Sequence, residues 1–179
     1  MEKLKNDHDP SNTRQIKNDY AVILKDQTLA DIKSALRALF GPADQAFLYA
    51  IGKMYGIYYY KQLLNSDVSS SSNLLEQIFG FKREEGWGNF EISLENGEFK
   101  YAVVRDSFEA RSYRWSGKSP HTMKDMSNKP LEPVPMPQCS FLKGFLEAVL
   151  SFHLKKNIHL NEVECIAAGN DKCIFLQKF

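Results

Sequence analysis

Residues 162–175 read Glu162-Val-Glu-Cys-Ile-Ala-Ala-Gly-Asn-Asp-Lys-Cys-Ile-Phe175, and the chain is best read outward from them. Two of the three cysteines, Cys165 and Cys173, flank a turn-forming Gly169-Asn170-Asp171-Lys172. Val163 and Ile166 before the turn, with Ile174, Phe175 and Leu176 after it, suit strands, so the segment reads as a hairpin. Glu162 lies three residues before Cys165, and the third thiol, Cys139, lies 26 positions before it. Two thiols joined by a turn, with a carboxylate close by, make most of a metal site.

The candidate ligands are Cys139, Glu162, Cys165 and Cys173. Zinc takes Cys and Glu in a tetrahedral set, and a site with no open position is structural rather than catalytic. Cys139 follows Pro133, Pro135 and Pro137 and opens an apolar helical run. There the helix dipole is expected to lower its pKa and favour the thiolate. His153 or His159 is a possible replacement for Glu162. The alternatives are three buried free thiols or a Cys165–Cys173 disulfide across the hairpin.

A chain of 179 residues with 43% hydrophobic and 12% aromatic content is expected to form one globular domain. A net charge of +1 gives no reason to expect direct nucleic-acid binding or an anionic membrane surface. No apolar run is long enough to span a bilayer. The polar start, 1–17, reads as a disordered arm rather than a secretory signal, leaving 18–179 as the domain. The odd cysteine count then points to a reducing cytoplasm, which argues against the disulfide.

Along the chain, Tyr20 to Leu24 reads as a short strand. Thr28 with Asp31 resembles a capping box, followed by Leu29, Ile32, Leu36 and Leu39 at helical spacing. That helix is expected to stop at Gly41, with Pro42 opening another, about 43–64. In the second helix Gly52 and Gly56 share a face, and their cost of roughly 1 kcal/mol each implies close packing. Around them lie Phe47, Ile51, Tyr55 and Tyr58, either core or the wall of a cavity.

Ser66 to Ser72 reads as a polar loop, and Leu74 to Phe79 as a short helix ending at Gly80. Asn96-Gly97 between alternating runs predicts a two-residue hairpin. Its register sets Leu94 opposite Phe99, Ile92 opposite Tyr101 and Phe90 opposite Val103, all on one face. The second strand is expected to continue through Phe108 to Ala110. Residues 111–138, rich in proline, read as a long loop or a lid. A helix then runs from Cys139 to about Lys155, nearly surrounded, with mainly Lys143 and Glu147 facing water.

No P-loop, dinucleotide fingerprint, nucleophile elbow or HExxH is present, and Glu84-Glu85 reads as surface charge. The pattern Glu162-x-x-Cys165-x-x-x-Gly169-x-x-x-Cys173-x-Phe175, preceded by Cys139-x-Phe-x-x-Gly144-Phe, resembles the 4-vinyl reductase domain. This is the sensor half of phenol- and xylene-responsive activators, similar in fold to subunits of the TRAPP complex. The resemblance implies an α/β (α+β) fold, an antiparallel sheet of hairpins packed against several helices. It implies zinc held by Cys139, Glu162, Cys165 and Cys173, a homodimer, and a stand-alone sensing domain.

It also implies a cavity for a hydrophobic small molecule beside the zinc. The expected lining is Phe47, Ile51, Tyr55, Tyr58, Trp87, Phe90, Ile92, Tyr101, Val103, Phe108, Phe141 and Phe145. In the phenol sensors a histidine and a tryptophan hold the hydroxyl. Here Phe108 stands in the tryptophan's place and no histidine lies between Phe81 and Trp87, so an aromatic or acyl ligand is expected. The family name implies a second reading, vinyl-group reduction in tetrapyrrole metabolism, and the TRAPP likeness a third, a protein-interaction scaffold.

Overall fold

The computed structural model describes residues 13–16, 19–22, 26–65, 74–116 and 139–178. Strands β1 (Thr13–Ile16) and β2 (Asp19–Val22) form a small antiparallel pair. The arm expected to be disordered is therefore ordered from Thr13, where cross-strand pairing satisfies the backbone; residues 1–12 lie outside the described residues. Helix α1 (Asp26–Phe40) begins before Thr28, so the expected capping box falls inside the helix. A single 3-10 turn, Gly41–Ala43, leads into α2 (Asp44–Leu64).

Helix α3 (Leu74–Glu84) runs through Gly80, contrary to the expected stop. It ends at Gly86, whose φ of +82° suits the residue just past a helix. Trp87 N–H donates to the Lys82 carbonyl at 2.9 Å and Gly86 N–H to the Arg83 carbonyl at 3.0 Å, the paired bonds of a Schellman motif. This closure folds Trp87 back over the helix end. The expected loop at Ser66 to Ser72 lies outside the described residues.

The main sheet is antiparallel, in the order β3 (Asn89–Glu95), β4 (Glu98–Arg105), β6 (Cys173–Gln177), β5 (Leu160–Glu164). Asn96 and Gly97 both have positive φ, as the hairpin turn requires. Leu94 pairs with Phe99 as expected, but a bulge between Ser93 and Leu94 shifts the rest. Ile92 lies opposite Ala102 and Phe90 opposite Val104, and the rows continue to Phe175 and Cys173. Tyr101 and Val103 thus lie on the other face of the sheet, a correction to the register read from alternation.

Strand β4 stops at Arg105, and Phe108 opens α4 (Phe108–Ser116) rather than extending the strand. Ser107 Oγ accepts the Ala110 N–H at 3.3 Å, an N-cap that turns the chain into the helix. The expected loop therefore starts helical, and residues 117–138 lie outside the described residues.

Helix α5 (Ser140–Leu154) lies at the centre of the core, against α2. The glycines explain how closely the two approach. A Cβ on Gly52 would strike the Phe141 backbone, one on Gly144 would meet the Tyr49 carbonyl and lie 2.8 Å from Lys53 N, and one on Gly56 would lie 2.8 Å from Ala148 Cβ. Glu147, expected to face water, is buried at the next turn. Its carboxylate accepts the Tyr49 O–H at 2.5 Å and the Leu160 N–H at 2.8 Å, tying α5 to α2 and β5.

Two glycine substitutions should move stability in opposite directions. Gly144→Ala has no room and should lose about 1–3 kcal/mol. Gly80→Ala meets nothing within 4 Å inside α3 and should gain about 1 kcal/mol. Urea midpoints at constant slope check both.

Candidate metal centre and aromatic cluster

Helix α5, the β5–β6 connection and the inner face of the sheet bring Cys139, Glu162, Cys165 and Cys173 together, with one ligand atom from each lying within 4.8 Å of the others. Cys139 is the residue before α5, at its N-cap. Glu162 sits on β5 opposite Phe175, and Cys173 opens β6 opposite Val104, so both face the core. Cys165 enters a 3-10 turn, Ile166–Ala168, that ends at Gly169 with φ +101°. Asn170 Oδ1 accepts the Cys165 N–H at 3.2 Å and closes that loop.

The sulfurs of Cys139 and Cys173 are 3.6 Å apart, and both other pairs are 3.9 Å apart. A disulfide needs about 2.05 Å, so the three thiols are free and unbridged. Metal–sulfur bonds of about 2.3 Å in a tetrahedron set sulfurs about 3.8 Å apart, which the observed triangle matches. Glu162 Oε2 accepts the Cys139 N–H at 3.0 Å, while buried Oε1 has no hydrogen-bond partner. That orphaned oxygen and three close sulfurs are a donor set that fits a metal ion. Ile166 N–H donates to Cys173 Sγ at 3.4 Å, and Ser107 Oγ lies 3.6 Å from Cys139 Sγ, as outer partners that orient sulfur ligands.

Burial raises the Glu162 carboxyl to about 8, with the charge of Cys165 adding to it. Burial also pushes the Cys139 thiol up, reinforced by its hydrogen bonds to Cys165 and Cys173. The expected lowering of Cys139 by the helix dipole is therefore overturned, because desolvation of a fully buried thiol outweighs a terminal partial charge. A divalent cation inverts this balance by stabilising every deprotonated ligand at once. Neither histidine takes Glu162's place: His159 lies 3.6 Å from Glu147, and His153 is outside the four-residue cluster.

Beyond the first turn of α5, Phe141 and Phe145 enter an aromatic cluster with Trp87 at its hub. The Trp87 ring centroid is 5.6 Å from Tyr55, 4.9 Å from Phe108, 5.5 Å from Phe141 and 5.1 Å from Phe145. Phe90 joins through Phe79 at 5.1 Å, and Ile92 packs on the same core. Seven of the expected lining residues are thus brought together. The other five are not. Phe47, Ile51 and Tyr58 point outward from α2 and are exposed, while Tyr101 and Val103 occupy the sheet's outer face.

Two buried charges were missed. Glu109, read as strand end, accepts the Phe141 and Leu142 N–H groups at 3.1 and 2.8 Å, capping α5, and pairs with buried Lys33 at 3.2 Å. The signal for the turn into α4 was Ser107, a good N-cap residue. Lys82 is completely buried and pairs with Glu85 at 2.7 Å, so Glu85 is no plain surface charge. Its only sequence signal was the i,i+3 spacing of opposite charges between Phe79 and Trp87.

Residues 129–179 match the family model of the 4-vinyl reductase domain. No curated protein sequence matches the chain. The fold is similar to that of the phenol-responsive sensory domain of the transcription activator PoxR, solved with phenol. That pair has a TM-score of 0.70 and 18% identity, covering 94% of this chain and 85% of that one. A vinyl-4-reductase family protein from Methanocaldococcus jannaschii aligns with a TM-score of 0.47 and 21% identity, over 73% of this chain and 66% of that one. The mixed fold, helices against a four-stranded antiparallel sheet, is the one expected.

A carboxyl raised in the fold makes the folded state bind more protons than the unfolded chain between about 4.5 and about 8. In chelator, the stability of the protein relative to Glu162→Gln should therefore be greatest at acid pH and fall as pH rises through that window. With divalent ion present the slope should reverse, because the ligands must lose protons to bind. Urea unfolding of both forms at several pH values measures the difference.

Proposed function

We propose that this chain, with its 4-vinyl-reductase-like segment on the fold of a phenol sensor's sensory domain, is a non-catalytic module that binds a hydrophobic small molecule. A structural zinc held by Cys139, Glu162, Cys165 and Cys173 fixes the start of α5. The observation that carries the reading is the placement of that four-ligand cluster one turn from Phe141 and Phe145. Three thiolates and a carboxylate suit zinc, and four protein ligands leave no position for a substrate, which favours a structural role over reduction. The ligand, aromatic or acyl, lies among Tyr55, Trp87, Phe90, Ile92, Phe108, Phe141 and Phe145. Pockets of this kind are mostly apolar with few polar groups. The TM-score of 0.70 to the PoxR sensory domain supports the same use of the fold. Among the described residues, no helix is long and apolar enough to cross a membrane.

The module acts as a homodimer. Helix α2 is apolar all round, and such helices are normally covered on every side. One side meets α5, yet Phe47, Ile51, Met54 and Tyr58 form an exposed stripe at helical spacing on another. Leu39 and Phe40 of α1 extend it, and Phe40 stacks on Phe47 at 5.7 Å. A second copy of the chain covers this surface.

Elemental analysis of protein purified without chelator should find one zinc per chain, with a lipophilic dye bound and displaced by apolar ligands. Cys173→Ser should release the metal and lower stability by several kcal/mol, since metal binding is coupled to folding. Met54→Glu should convert dimer to monomer in sedimentation while zinc is retained. A metal-free protein, or an unchanged sedimentation profile, contradicts the corresponding part.

A further inference from the structure

The end of α3 holds a charge for which an apolar pocket has no need. Lys82 has no exposed side-chain surface, and its ammonium sits 3.7 Å from the Tyr59 ring centroid, 4.7 Å from Trp87 and 4.9 Å from Tyr55. An ammonium carries three donors. One goes to Glu85 Oε2 at 2.7 Å and one to Tyr55 Oη at 2.8 Å, leaving the third against ring faces. Beside it, Tyr59 Oη is buried with no hydrogen-bond partner. A native interior seldom leaves a hydroxyl in that state, and a specific orphan calls for an occupant.

We infer that this nest recognises an acidic oxygen, so that the ligand is an apolar body ending in a carboxylate or an ionised phenol. The oxyanion takes Lys82 and Tyr59, and the body lies among Trp87, Phe108, Phe141 and Phe145. The inference rests on the small-molecule reading above and adds the chemical class of the ligand.

Three features support this assignment. A lysine that merely filled space would be better replaced by an apolar residue, because burying a charge is unfavourable without compensation. Desolvation does act on Lys82, lowering its pKa, opposed by the hydrogen bond and charge of Glu85. Glu85 itself is partly exposed, with 19% of its side chain open, and among the described residues its carboxylate bonds only to Lys82. It can therefore turn to water while an incoming oxyanion keeps Lys82 neutralised, an exchange of one partner for another. Finally, the Schellman closure at Gly86 fixes Trp87 over the ammonium, so the nest and the aromatic hub move as one piece.

The test uses the purified full chain and three probes of one ring size: 4-nitrophenol, 4-nitrobenzoate and 4-nitroanisole, which has no acidic proton. At least one acidic probe should bind about tenfold or more tighter than 4-nitroanisole, and which one wins distinguishes phenolate from carboxylate. Bound 4-nitrophenol should show more of the phenolate absorption band than free probe at the same pH. Lys82→Met should abolish the acidic preference while leaving 4-nitroanisole binding intact, and Glu85→Gln should strengthen acidic-probe binding by vacating the position. The absorption band and the Glu85→Gln effect are read whether or not Lys82→Met folds. Equal binding of 4-nitroanisole and the acidic probes, or dye binding without acidic-probe binding, overturns this inference and leaves the small-molecule reading standing. If neither dye nor any probe binds, both fall.

Discussion

The first turn of α5 points unpaired N–H groups into the interior, and two buried acids from distant parts of the chain answer them. Glu162 of β5 takes the Cys139 N–H, and Glu109 of α4 takes those of Phe141 and Leu142. Both carboxylates gain from the positive end of the helix. Their charges are balanced differently. Glu109 has Lys33 at 3.2 Å, whereas among the described residues no basic side chain bonds Glu162, which faces three sulfurs instead. Left to itself that corner must stay protonated. A divalent ion is the missing counter-charge, and it would make the same corner a rigid tie between helix and sheet.

That tie has a consequence further along the helix. Phe141 and Phe145 lie one and two turns from Cys139, so whatever fixes the helix start also fixes two walls of the aromatic cluster. The glycine contacts fix the same helix from the other side, because Gly52, Gly56 and Gly144 let the α2 and α5 backbones approach without side chains between them. Position along and around the helix is then set by backbone, metal donors and carboxylates rather than by interchangeable apolar volume. Such placement suits a site that must hold its shape with few polar groups.

What could be read in the sequence was what is local. The Asn96-Gly97 turn needs only its own two backbone angles, and the cysteines and Glu162 were recognisable by type and spacing. The close-packing role of Gly52 and Gly56 followed from their position on one helix face. What failed depended on partners far along the chain. Strict alternation put Tyr101 and Val103 inward, but the bulge at Ser93/Leu94 shifts the strand, and pairing with β6 holds Ala102 and Val104 on the inner face. In α1 the apolar period marked Ile32 and Leu39, yet the buried residues are Ala30 and Lys33, because Lys33 is drawn in by Glu109. Apolar spacing cannot reveal that a helix buries its lysine.

Lys82 extends the same point to function. Charged residues inside the fold include Glu109, Glu147, Glu162, Lys33 and Lys82, and sequence pattern marked only Glu162. Three of the other four are explained by what they hold: Glu109 caps α5, Lys33 neutralises Glu109, and Glu147 joins α5 to α2 and β5. Lys82 caps nothing and joins no separate strand; its partners are a partly exposed carboxylate at its own helix end and the rings around it. A buried charge costs stability unless structure or a ligand compensates it. With the structural explanations used up by the others, the ammonium among Tyr55, Tyr59 and Trp87 is the one whose compensation is incomplete within the chain, and the unpaired Tyr59 hydroxyl beside it marks the same gap.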